Sequence, residues 1–101
     1  MKIERIFSNG KDTVKQILVY TSSGLLEKIT TEDCLSNEIG EVVKFRTPLL
    51  SEKGSSCAKL REAHGTVESI TIMTLGTTNR KIYKIRCGEL CYFTDTIERS
   101  L

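Results

Sequence analysis

β-Branched residues dominate this chain and alanine is nearly absent. Ile, Val and Thr supply 27 of its 101 residues, and Ala only two. β-Branched side chains fit a pleated surface and are stiff, mediocre helix formers. This predicts a β-dominated fold, all-β or α+β. The expected form is an antiparallel sheet or small barrel of about six strands, with one or two short helices. Ile, Leu, Val and Phe together number 28, enough for a packed core. The length suits one domain over residues 1–101, and no repeat, low-complexity tract or long linker divides it.

Turn chemistry places the strands. Met1, Ile3 and Phe7 alternate with Lys2 and Glu4, and Asn9-Gly10 follows. Asn-Gly suits a type I′ hairpin turn, which needs positive φ at both central residues. The partner strand is TVKQILVY (13–20), and Ser22-Ser23-Gly24 leads to a third strand, LLEKI (25–29). Thr30 to Asp33 reads as a helix N-cap. EVVKF (41–45) reads as a strand that Pro48 ends. CAKLREAH (57–64) has helical composition, with Gly65 placed to cap it and His64 favoured by the helix dipole. TVESITIMTL (66–75) is a strand and GTTNR (76–80) its turn. Asp95–Glu98 reads as a final helical turn.

The closing hairpin can be taken residue by residue. KIYKIRC (81–87) and LCYFT (90–94) flank Gly88-Glu89. Gly at the first central position suits a two-residue type II′ turn. The pairs are then Cys87 with Leu90, Arg86 with Cys91, Ile85 with Tyr92, Lys84 with Phe93 and Tyr83 with Thr94. One face carries Tyr83, Ile85, Cys87, Leu90 and Tyr92 and is the better core face. The other carries Ile82, Lys84, Arg86, Cys91 and Phe93. Cys87 and Cys91 fall on opposite faces, so they form neither a disulfide nor a metal pair.

Catalytic signatures are missing. His64 is the single histidine, and no nucleophile elbow, Cys/His signature or phosphate-cradling glycine loop occurs. The carboxylate pairs Glu32/Asp33 and Asp95/Glu98 are explained by capping. No catalytic residue, metal ligand or cofactor is assigned. The formal net charge is +2, too balanced for a dedicated nucleic-acid or membrane-surface binder. No apolar run approaches the ~20 residues that span a bilayer. The start MKIERIFSNGKD lacks the apolar core of a secretory signal. The expected compartment is the cytoplasm, and the four cysteines are expected to be reduced.

Binding is therefore the expected role, and three versions stand. The first is occupation of a protein partner's surface. Leu49 and Leu50, adjacent in the polar loop RTPLLSEKGSS, offer an anchor if exposed and a core margin if buried. The second is nucleic-acid binding by Arg80, Lys81, Lys84 and Arg86 with Phe93 as stacking face; the plainer account of these cations is a sheet edge protected against aggregation. The third is sequestration of a small anionic ligand such as a nucleotide, between subunits of a homo-oligomer. In size, cysteine use and the closing segment KIYKIRCGELCYFTDTIERS, the chain resembles the short β-rich proteins of bacteriophages and mobile elements, including inhibitors of bacterial defence systems. That resemblance implies an inhibitor working in the host cytoplasm. Those proteins share no signature, so it assigns no site residue.

Overall fold

The structure is a computed structural model that describes residues 1–48 and 60–99. The described residues form one antiparallel sheet and no helix. In chain order the strands are β1 (Lys2–Ser8), β2 (Thr13–Tyr20), β3 (Leu26–Asp33), β4 (Val42–Pro48), β5 (Leu60–Leu75), β6 (Thr78–Cys87), β7 (Leu90–Thr94) and β8 (Glu98–Arg99). The β-dominated class expected from composition is what the chain adopts.

β5 organises the sheet. Its 16 residues pair with β4 over Leu60–Thr66 and with β1 over Ser69–Thr74. β6 runs along its other edge, from Thr66 to Leu75. Thr66 thus has Val42 on one side and Arg86 on the other. From β1 the sheet continues to β2 and β3; from β6 it continues to β7. β8 then returns to β4, pairing Glu98 with Lys44.

The half of the sheet built on β4–β8 is curled. In a flat sheet β4 and β7 would lie about 14 Å apart, three strand spacings. Instead the Phe45 and Tyr92 rings meet with centroids 5.6 Å apart. The concave face holds the core of Val43, Phe45, Val67, Ile70, Tyr83 and Ile85, with Ile6, Ile39 and Ile97 packed against it. Val43 and Ile85 are fully shielded from solvent, and each such side chain contributes about 1.5–3 kcal/mol. Glu38 fastens the β3–β4 connection over this face. It accepts hydrogen bonds from Lys81 Nζ at 3.0 Å and from the Tyr83 hydroxyl at 3.0 Å.

The expected short helices give way to strands. Residues 57–59 lie outside the described residues, and Leu60–His64 belongs to β5. Eight residues are too few to nucleate a helix alone, and β4 offers Leu60–His64 a ladder of backbone pairs. Gly65 is no helix cap but a strand residue without positive φ. An added Cβ there would sit 2.5 Å from Ile85 Cγ2 and 2.8 Å from the Arg86 carbonyl. His64 is accordingly an exposed strand residue opposite Lys44, not a helix terminus. Thr30–Asp33 pairs with Val14–Ile17 as part of β3. Asp95–Glu98 is a bend leading into β8, held by the Thr96 amide donating to Thr94 Oγ1 at 3.2 Å. These threonines are better strand and turn formers than helix formers, which removes the capping role of both carboxylate pairs.

The hairpins otherwise follow the sequence. The β1–β2 turn is wider than a type I′ turn: Ser8 faces Thr13, and only Gly10 has positive φ. Asn9 Oδ1 accepts from the amides of Lys11 and Asp12 at 3.1 and 2.9 Å. The turn after β5 is, by contrast, shorter than expected, since Leu75 pairs directly with Thr78.

The close approach at Gly65 makes a testable demand. Gly65→Ala should cost about 1–3 kcal/mol, the usual penalty of overpacking a filled core. A lowered urea midpoint at unchanged slope would register it. A variant as stable as the parent would mean that β5 and β6 are not in this close contact.

Candidate binding face

All five pairs expected for the closing hairpin are present, from Cys87–Leu90 to Tyr83–Thr94. Gly88 has φ of +63° and Glu89 does not share the positive region, the pattern of a type II′ turn. Alternation therefore sends Tyr83 and Ile85 into the core, and Ile82, Lys84, Arg86, Cys91 and Phe93 to the outer, convex face. Phe93 is 71% exposed.

β5 adds a residue to this face that sequence alone did not reveal. The β5–β6 register shifts between Val67 and Ser69, leaving Glu68 as the extra residue of a bulge. Bulges re-aim side chains and sharpen the local twist. The Glu68 carboxylate lies against the β6–β7 outer face. It accepts from Arg86 Nε at 3.0 Å and from Arg86 Nη2 at 3.2 Å, a two-pronged pairing. Lys84 Nζ is 3.9 Å away, and the Cys91 thiol donates to Glu68 Oε2 at 3.5 Å. The hydrogen bond from Arg86 holds the Glu68 carboxyl below its ordinary value against a partly opposing desolvation; Cys91 and the charge of Lys84 add to the lowering. Arg86 is held above its ordinary value, first by the same hydrogen bond.

The other candidate residues divide. Arg80 is on the outer face opposite Met73. With Ile82, Phe93, Thr94 and Asp95 it lines a shallow hollow of about 250 Å³. Lys81 is on the core-side face, where it pairs with Glu38 and lies 5.0 Å from the Tyr83 ring centroid. Its contacts with Tyr83 and then Glu38 raise its pKa despite partial burial. Leu49 and Leu50 lie outside the described residues. The structure thus groups Arg80, Lys84, Arg86 and Phe93 and leaves Lys81 on the opposite side.

Cys87 and Cys91 occupy opposite faces, as their register requires. Cys87 Sγ donates to the His64 carbonyl at 3.2 Å. Among the described residues no three His, Cys, Asp or Glu side chains cluster to hold a metal. A hollow of about 330 Å³ lies between β4 and the β7–β8 bend. Lys44 and Arg46 line it together with Glu62, Asp95 and Glu98, and Lys44 already contacts Glu62 at 3.1 Å. Three carboxylates against two cations do not make an anion receptor. No helix of the described residues is long and apolar enough to cross a membrane. Comparison of the chain with protein-family models, curated proteins and solved structures finds no match.

The Glu68 cluster predicts a pH dependence with a definite sign. A carboxyl whose folded pKa is lowered stabilises the fold above its ordinary value, 4.5. That contribution fades as pH falls through the lowered folded value. Glu68→Gln should therefore narrow its stability gap to the parent as pH drops through this range. By carbon-detected NMR, Arg86→Ala should return the Glu68 carboxyl towards its ordinary value. A Glu68 titration that Arg86→Ala leaves unmoved would contradict the assigned pairing.

Proposed function

We propose that this chain is a non-catalytic binding protein that occupies the surface of a protein partner through the outer face of the β6–β7 hairpin. The observation that carries this reading is Phe93. Its ring is 71% exposed on a hairpin whose reverse side is the core, so the aromatic is presented on a rigid support. Exposed aromatics beside arginine are the usual composition of energetically dominant contacts. Arg86 supplies the arginine, and Glu68 orients it.

The same carboxylate weighs against nucleic acid. Two of the cations expected to meet phosphates already share a counter-charge, which lowers the positive potential they present to a phosphate. Sequestration of a small anion is weakened by the carboxylate-rich hollow beside β4. An inhibitor that acts stoichiometrically on a cytoplasmic target, in the style of phage and mobile-element proteins, is the form of this role we favour.

The full chain, used as bait in extract of its natural host, should retain a stoichiometric protein partner after nuclease treatment. Phe93→Ala should weaken that partner by about thirtyfold, the effect of losing a dominant contact of about 2 kcal/mol. Lys84→Ala with Arg86→Ala should act more weakly. Capture that disappears with nuclease and falls steeply with salt would overturn the reading in favour of nucleic acid.

A further inference from the structure

The outer face of the sheet carries a second apolar region, at the end away from the curl. Cross-strand pairing lays it out in two adjoining rows. One runs Leu26, Tyr20, Met1, with Leu75 next along β5. The other runs Ile29, Leu18, Ile3, Met73. Arg80 on β6 closes the second row. Tyr20 and Met1 are joined by backbone bonds at 2.8 and 3.3 Å, so the rows are continuous across β3, β2, β1 and β5. Beyond them Thr31, Gln16, Arg5 and Thr71 form a polar border.

None of the described elements covers this band. Met1 is 48% exposed, Leu26 47%, Ile29 53%, Leu75 68%, and Leu25 beside them 68%. Together these five offer roughly 500 Å² of apolar surface, at the upper end of what a monomer leaves open.

We propose that a second copy of this chain covers the band, the two outer faces packing as an aligned sandwich about a two-fold axis. The area fits: a standard interface takes about 800 Å² from each partner, and homodimer interfaces are about 65% apolar. That is roughly the 500 Å² present. The charges fit as well. Arg80 stands at the β6 end of the band, and exposed Glu27, the residue passed over where the β2–β3 register shifts beside Leu26, at its β3 end. A two-fold axis along β1 places each over the other's counterpart, twice. This interface is separate from Phe93 and does not rest on the partner-binding role proposed for the hairpin.

Sedimentation equilibrium of the full chain tests this. At about 100 µM, above the affinities that standard-size interfaces give, the chain should sediment as two copies. Ile29→Lys with Leu75→Lys should sediment as one, with an unchanged circular dichroism spectrum. Leu75→Lys alone, at a position next to a turn, should shift the dimer to at least tenfold higher concentration. Phe93→Ala should leave the dimer intact while losing the hairpin's partner. A monomeric parent, a dimer indifferent to both lysine variants, or open-ended assembly would overturn the proposal. Flotation of a monomeric parent with lipid vesicles would do so in favour of a membrane surface.

Discussion

β5 serves three neighbours, and it does so because its backbone changes course at Glu68. A straight strand of this length would hold β4, β1 and β6 in one gently twisted plane. The extra residue breaks the register with β6 between Val67 and Ser69, and the β4 half bends away from the β1 half. Ala63 and Gly65 face the inside of that bend. Their small size lets Ile85 and Cys87 come in close, and the gap between β4 and β7 shrinks until Phe45 meets Tyr92. The core is a consequence of the curl as much as its cause, since a flat sheet would leave Val43 and Ile85 in solvent.

The same displaced residue sets the chemistry of the outer face. The pairing of Thr66 with Arg86 and of Val67 with Ile85 already turns Glu68 to this face, and the bulge leaves it there without a paired residue of its own. With the bulge, one carboxylate serves Arg86, Lys84 and Cys91 together. A face that reads in sequence as basic and aromatic gains one carboxylate among its cations, beside one exposed ring. Backbone geometry thereby gives two of the face's cations a shared counter-charge.

The closing hairpin was legible because all its signals are local. Period-two alternation and a single glycine at the turn fix the register, and every expected pair is found. The residues before Gly65 were illegible for the opposite reason. CAKLREAH has helical composition, but its inward position Ala63 and the following Gly65 are small because Phe45 and Ile85 fill the space, and those partners lie far away in sequence. Glu68 had no signal at all. Its bulge uses no positive-φ residue, so nothing in the chain marks where the register slips. Asn9-Gly10 announced a hairpin correctly but not its width, because the Asn9 side chain, by bonding two amides, stabilises a longer loop.

The two exposed regions of the outer face differ in what lies beneath them. Under Phe93 is the core, through Tyr83, Ile85 and Tyr92; the ring can be offered to solvent without weakening what supports it. Under the band on β1, β2 and β3 the inner face carries Lys2, Glu4, Lys15, Lys28 and Glu32 among its apolar residues. Glu4 contacts Lys2 at 3.4 Å and Lys15 at 3.5 Å there. A strand buries apolar surface on at least one side to hold its place, and the charged inner side of this wing leaves that task to Leu18, Ile3 and Met73 on the outer one. Burial of the band on another surface therefore consolidates β1–β3, whereas burial of Phe93 adds little to a hairpin already anchored from behind.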